Sequence, residues 1–245
     1  MSNKTRLDVL LTERGLAESR QKAQAVIMAG HVFVAGQRVD KPGTAVLSDA
    51  PIEVRGHALP YVSRGGLKLK KAMKTFPITL TDKICADIGA STGGFTDCML
   101  QNGARKVYSV DVGYGQLDWK LRSDPRVVCM ERTNARYLTP EQIPDPLDFA
   151  SIDVSFISLT LILPPCMTWL KPGGLAAVLI KPQFELGPGE TVKGVVRDEA
   201  ARQRAVDKIV RFCTENLHLE SRGVLPAAIK GPKGNQEYMA LFARP

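Results

Sequence analysis

Three scattered histidines, and five cysteines that are odd in number and far apart, give the chain no metal-ligand spacing, so no metal is expected. Cys85, Cys98, Cys129, Cys166 and Cys213 lie mostly inside apolar segments, which predicts reduced, buried thiols of a cytoplasmic protein and not a disulfide framework. No basic stretch followed by an apolar one opens the sequence. The longest apolar-looking segment, Phe156 to Leu170, is broken by Pro164-Pro165 and is too short to span a bilayer, so no membrane is expected among the partners. A pore-forming toxin or hemolysin needs a secretion signal, an apolar span or an amphipathic membrane face, and none is evident. Repeats and low-complexity segments are also missing. What 245 residues with 44% hydrophobic content do permit is one large domain, or a medium domain with a small module.

The net charge of +8 is local. Residues 1–60 hold eight Lys/Arg against six Asp/Glu, residues 61–80 hold five against none, and residues 81–245 hold twenty against nineteen. A positive patch concentrated in one short segment suits a polyanion such as nucleic acid, which points to Arg64, Lys70 and Lys71; a solvated basic helix face is the plainer alternative. That segment, "YVSRGGLKLKKAMKTF", reads as a helix with one apolar and one strongly basic side.

Before it, Leu7, Leu10 and Leu11 mark one amphipathic helix and Ala23, Val26 and Ile27 a second, with Gly15 stopping the first, Ser19 capping the second and Gly30 ending it. Val32–Val34 and Ile52–Val54 read as short strands around the turn Ala35-Gly36-Gln37. Gly56 to Pro60 reads as a linker. From Lys83 on, apolar strands alternate with helical patterns: Ile84 to Ile88, Val107 to Asp111, Val127 to Met130, Phe149 to Asp153 and Ala176 to Lys181, then Gly223 to Leu225 and Tyr238 to Ala243. Such alternation predicts an α/β fold with a mostly parallel sheet buried on both faces, its ligands held at the carboxyl ends of the strands.

Two of those ends carry a cofactor signal. The first strand runs through Asp87 into Gly89-Ala90-Ser91-Thr92-Gly93-Gly94-Phe95, where glycines let backbone approach a ligand at a helix N-terminus; the next strand ends in Asp111, placed to accept from ribose hydroxyls. The turn is not the G-x-G-x-x-G fingerprint and there is no Walker lysine. The fourth strand ends in Asp153-Val154-Ser155-Phe156, without the Asn/Asp-Pro-Pro-aromatic loop that base amino-group methylation uses. The fifth strand ends in Lys181. With Asp153 beside it, a second cation in Lys68 and an acid in Glu237 where the last strand begins, these residues suit a weak hydroxyl nucleophile that must lose its proton. An ammonium can take that proton only where burial or a neighbouring cation favours its neutral form. Phe156 follows Asp153 directly and is expected near the cofactor, Asn134 at its adenine end. The glycine-rich stretch Phe184 to Gly194 reads as a mobile loop over the substrate.

The N-terminal succession GLAxSRxxA, GxVxV, KPG and IxV resembles the S4 RNA-binding domain, which implies that Arg20, Lys22, Arg6 and Lys41 face structured RNA; where that family usually has Asn-Gly at the hairpin turn, this chain has Ala-Gly. The Asp87 loop resembles the S-adenosylmethionine loop of FtsJ-like (RrmJ-like) methyltransferases, and Lys68, Asp153, Lys181 and Glu237 are similar to the Lys-Asp-Lys-Glu tetrad of the 2′-O-methyltransferases of that class. The combination is identified as a member of the TlyA family. The resemblance implies a Rossmann-like class I methyltransferase sheet with a small α+β S4 domain, divided as 1–59 (S4), 60–82 (basic linker and leading helix) and 83–245 (methyltransferase). It further implies S-adenosylmethionine as cofactor, ribosomal RNA or ribosomal subunits as partner, and methylation of a cytidine ribose 2′-OH. In that family longer forms act on both subunits and shorter ones on the large subunit alone; the chain's end soon after its last strand leads to the expectation of 23S rRNA, with 16S second. The linker departs from the Arg-x-Trp-Val version known in some members.

Overall fold

The structure is a computed structural model and describes residues 4–28, 30–55, 60–139, 141–187 and 189–245. The chain falls into two compact units that meet at Pro60/Tyr61. Residues 56–59 of the expected linker lie outside the described residues.

In the first unit a short strand β1 (Lys4–Arg6) leads into α1 (Leu7–Glu13) and α2 (Arg20–Met28), followed by β2 (Val32–Val34), β3 (Gln37–Val39), β4 (Ala45–Leu47) and β5 (Ile52–Val54). The helices meet through Leu7, Leu10, Leu11, Ala23 and Ile27, all buried, against Val32 and Val46. Ala35 and Gly36 both have positive φ (49° and 80°), as a tight primed hairpin turn between β2 and β3 requires. The strand order is β3-β2-β5, and the β1–β4 pair adds a ladder that the hydrophobic pattern does not reveal, because three-residue strands carry no readable period.

Asp8 is fully buried at the start of α1. Its carboxylate accepts from Arg6, Arg20 and Gln24 at 2.8 to 3.0 Å, and the Arg6 guanidinium above all holds its carboxyl well below the usual carboxylate range. A lowered carboxyl contributes stability that is complete above the ordinary value of 3.8 and is lost as the pH falls towards the folded value. The first unit is therefore expected to lose stability on acidification below about pH 4, and Asp8→Asn to flatten that loss in a urea titration repeated at pH 3 and pH 6.

The second unit opens with α3 (Gly65–Thr75), then β6 (Ile84–Ile88), α4 (Gly94–Gln101), β7 (Lys106–Val110), α5 (Trp119–Arg122), β8 (Val127–Met130), β9 (Leu147–Ile152), α6 (Leu159–Met167), β10 (Leu170–Ile180), α7 (Pro182–Glu185), α8 (Glu199–Arg211), β11 (Glu220–Pro226) and β12 (Tyr238–Ala243). One seven-stranded sheet results, in the order β11-β12-β10-β9-β6-β7-β8, in which β8, β7, β6, β9 and β10 are parallel and β12 alone is reversed, running antiparallel to both of its neighbours, β10 and β11. Alternate residues of the same strands feed two cores: Ala86, Ile88, Val110, Ile152, Val178 and Ile180 pack with α6 and α8, while Cys85, Val107, Phe149, Ala177 and Leu179 pack with α3 and α4. Both faces are covered, hence the unbroken apolar runs.

The basic helix α3 is packed within this unit and is no free linker. Gly66 lies so close to α4 that an added Cβ would sit 2.7 Å from the Gly94 carbonyl oxygen. α6 starts at Leu159, where Ser158 caps it by accepting from the Thr160 amide. Two expectations need correction. β10 begins at Leu170, irregular across Pro172-Gly173-Gly174 before it regains register at Leu175. The stretch Phe184 to Gly194 is not a plain loop, since its start completes α7 with Glu185 buried and Val192 pairs with Val195.

Candidate active site

Four strand ends and one helix converge at the carboxyl edge of the sheet. β6 delivers Asp87, whose buried carboxylate accepts from Thr96 N (2.8 Å), Thr96 Oγ1 (2.7 Å) and Ser151 Oγ (3.1 Å), tying the start of α4 to the sheet. Burial pushes its carboxyl up to about 6, against the lowering effect of those donors. With the folded value raised, the protonated form is the one the fold favours, so this contribution to stability is complete below the ordinary carboxylate value and is lost as the pH rises through about 6. The second unit is accordingly expected to gain about 1 kcal/mol between pH 7 and pH 5 from this group, a gain that Asp87→Asn removes when denaturation is compared at the two pH values.

Gly89 (φ +84°) follows, and an added Cβ there would lie 2.4 Å from the Asp153 carbonyl oxygen, so only glycine lets β6 and β9 run this close. Ser91 is also left-handed (φ +49°), and Gly93 (φ +93°) caps α4. Asp111, directly after β7, accepts from Ser91 N and Gly113 N, both at 2.7 Å, holding the glycine turn to the second strand end. A cleft is lined by Asp87, Gly89, Ala90, Ser91, Thr92, Gly94, Phe95 and Asp153, together with Ser63 and Gly65 from the segment that begins α3.

Beside this cleft runs a row of alternating charge. Glu237 Oε2 accepts from Lys68 Nζ at 2.7 Å; Lys68 Nζ stands 3.9 Å from Asp153 Oδ2; Asp153 Oδ1 is 2.5 Å from Lys181 Nζ; and Lys181 donates to Ser155 Oγ at 2.8 Å. The contact at Asp153 Oδ1 is an ion pair by distance, without the angle of a hydrogen bond. Local sequence explains each position. The fully buried run Ala176–Ile180 carries Lys181 into the interior, where it is 7% exposed, and Pro182 stops the ladder and starts α7. Asp153 extends β9 by donating its amide to Ile88 O. Glu237, fully buried, precedes β12, and Lys68 (8% exposed) projects from α3. Gly231 packs against Glu237 so tightly that an added Cβ would meet Oε1 at 2.0 Å. Lys68 occupies this row, whereas Lys70 on the same helix donates to Asn102 Oδ1.

The other residues singled out in the sequence lie outside this row. Phe156 does not line the cleft: it is 90% exposed, left-handed (φ +64°), and tilted onto Phe184 with ring centroids 5.1 Å apart. Asn134 caps the short 3-10 turn Ala135–Tyr137 by accepting from Arg136 N. Arg6 and Arg20 are half-exposed over Asp8, and Lys22 pairs with Glu18 one helical turn away. Lys71 donates to Pro226 O, while Lys41 and Arg64 are exposed. Sequence reasoning missed Ser63, Ser155, Gly231 and Glu185. Ser155 had a signal in its place two residues after a strand-end aspartate; the others depend on contacts distant in sequence. Four of the cysteines are buried and all five are free; burial pushes the Cys85, Cys166 and Cys213 thiols up to about 12.

A sheet of five adjacent parallel strands extended by one reversed strand, β12, and the edge strand β11, with a glycine turn after β6 and an acid after β7, defines a class I methyltransferase. Comparison with known proteins agrees. The FtsJ-like methyltransferase model matches residues 61–244 and the S4 domain model residues 5–52. The 16S/23S rRNA (cytidine-2′-O)-methyltransferase TlyA of Mycobacterium tuberculosis is 45% identical over 97% of this chain and 89% of that protein. Hemolysin A of Brachyspira hyodysenteriae is 44% identical over 97% and 99%. A solved structure of a Streptococcus thermophilus protein titled as a hemolysin covers 100% of this chain and 90% of that one at 44% identity, with a TM-score of 0.78. The chain belongs to the TlyA family of S4-bearing, FtsJ-like methyltransferases.

Proposed function

We propose that the protein transfers a methyl group from S-adenosylmethionine to a cytidine ribose 2′-OH of ribosomal RNA, in 23S rRNA first and 16S rRNA second. The observation that carries this reading is the Glu237–Lys68–Asp153–Lys181 row, and the name borne by the Mycobacterium tuberculosis relative supports the substrate class. The cleft suits the cofactor: Asp111 supplies a carboxylate at the β7 end, the Gly89–Phe95 turn supplies close backbone, and Asp153 supplies negative charge in the lining. When bound, S-adenosylmethionine supplies an electrophilic methyl group on a positively charged sulfur.

The chain's own part is to hold and deprotonate a hydroxyl. Lys181 stands at the open end of the row, and its partner Ser155 is exposed. A substrate hydroxyl that takes the place of Ser155 Oγ meets the Lys181 amine, which receives its proton or stabilises the developing alkoxide. Asp153 orients that amine, while Lys68, anchored by Glu237, places a second cation near it. Arg6, Arg20, Lys22 and Lys41 of the S4 unit, with Arg64, Lys70 and Lys71, supply positive charge for RNA phosphates.

A hemolysin reading follows from the name of the Brachyspira relative alone; among the described residues no helix is long and apolar enough to cross a membrane. The test offers labelled S-adenosylmethionine with purified ribosomal subunits and naked rRNA, alongside erythrocytes. Label on RNA without lysis is expected, and lysis without label contradicts the proposal.

A further inference from the structure

The stretch Val178 to Glu185 ends in a buried acid that the chemistry above does not use. Glu185 lies one helical turn beyond Lys181, since Lys181 precedes α7 and Glu185 closes it. Its carboxylate reaches across to the other half of the site. Oε2 accepts from Ser158 Oγ at 2.6 Å, Oε1 accepts from the Leu159 amide at 2.8 Å, and Lys208 of α8 donates to both Oε2 (3.3 Å) and the Glu185 carbonyl (2.7 Å).

Ser158 and Leu159 close the loop that carries Asp153, Ser155 and Phe156. That loop holds a left-handed phenylalanine, a conformation that a non-glycine residue keeps only where its surroundings impose it. Its first end is fixed by the Asp153 amide on Ile88 O. Its other end is fixed by Glu185, and Phe156 touches Phe184, the neighbour of Glu185. For the cap of a surface helix, Ser158 alone suffices. A buried carboxylate held by three donors from two other elements costs desolvation that a simple cap does not need.

We propose that Glu185 is a positioning residue: it latches the Asp153–Phe156 loop to the strand end bearing Lys181, so that Lys181 keeps its alignment with Asp153 and Ser155. The effect on rate rests on the 2′-O-methyl transfer proposed above; the latch itself does not.

The test compares Glu185→Ala, Glu185→Gln and Ser158→Ala in the full chain. Amide hydrogen exchange over residues 153–160 is expected to accelerate at least tenfold in Glu185→Ala, with residues 87–97 unchanged. The turnover rate on rRNA is expected to fall about 10- to 100-fold, while KM for RNA and Kd for S-adenosylmethionine stay within threefold. Glu185→Gln, which retains an oxygen for the Leu159 amide, is expected to restore part of both, and Ser158→Ala to show a smaller change in the same direction. Unchanged exchange at 153–160 overturns the latch. Faster exchange with an unchanged turnover rate overturns the positioning role and leaves a structural cap. Should Glu185→Ala not fold, the Gln and Ser158→Ala variants decide by the same two readouts. A wild-type protein that methylates no RNA contradicts the proposed function, and the exchange comparison then still decides the latch.

Discussion

Lys181→Ala is expected to lower methyl transfer to RNA by about 10³-fold while leaving the affinity for S-adenosylmethionine within a few fold. The asymmetry follows from position. The lysine stands past the end of β10 and touches Asp153 and Ser155, whereas the glycine turn and Asp111 belong to β6 and β7. Its loss removes the group that takes the hydroxyl proton and leaves the binding cleft lined as before. Lys181→Arg sharpens the test, because a guanidinium keeps the charge but cannot accept a proton near neutral pH. The arginine variant is therefore expected to be nearly as slow as the alanine variant; an arginine variant at wild-type rate, measured under single-turnover conditions, assigns Lys181 a purely electrostatic part.

Glu237→Ala is expected to have the largest effect on stability. The carboxylate is fully buried, and its 2.7 Å bond to Lys68 is the shortest contact that lysine makes, since Asp153 stands 3.9 Å away. Removing one partner of a buried ion pair costs about 3 to 5 kcal/mol, and the low end is expected here because Lys68 keeps Asp153 at 3.9 Å. Denaturation of the second unit is expected to show that loss, with transfer falling alongside as Lys68 loses its anchor. Glu237→Gln keeps the shape and a hydrogen bond, so a smaller loss of stability is expected. Gly231→Ala reaches the same pair from outside, since its Cβ would collide with Oε1 and push the carboxylate from Lys68. A stability in Glu237→Ala equal to that of the wild type, read from urea midpoints, contradicts this account of the row.

Much of the site is legible in the sequence because in a parallel sheet the end of an apolar run is also a place in space. Phe149 to Ile152 and Ala176 to Ile180 are buried runs in neighbouring strands, so the charged residue that follows each must emerge at the same edge; Asp153 and Lys181 are found there, 2.5 Å apart. Glu237 is readable for the same reason at the start of β12. Lys68 is harder, because a helix face offers several lysines, and which one turns inward to Glu237 depends on how α3 packs through Gly66, Leu69 and Ala72.

What escapes sequence reading depends on partners far along the chain. Arg6 and Arg20 read as basic residues for RNA, but that both also hold Asp8 does not show, because nothing in the residue types announces that a helix-start aspartate will be buried. Phe156 looks like a cofactor contact because it follows Asp153, but the loop turns it outward through a left-handed backbone. Glu185 reads as a loop residue until its contact with Ser158 is known, and Gly231 carries no signal until its contact with Glu237 is known. The β1–β4 pair and the early start of β10 at Leu170 are hidden by short length and by Pro172-Gly173-Gly174, which interrupts the pattern without ending the strand.

The central claim is that the row of lysines and carboxylates serves a ribose hydroxyl. It is tested most directly by digesting labelled rRNA with alkali after incubation with the wild-type protein and S-adenosylmethionine. A 2′-O-methyl group blocks attack on the adjacent phosphodiester, so the account predicts label in an alkali-resistant dinucleotide that contains cytidine. Label released as a mononucleotide methylated on its base would contradict it.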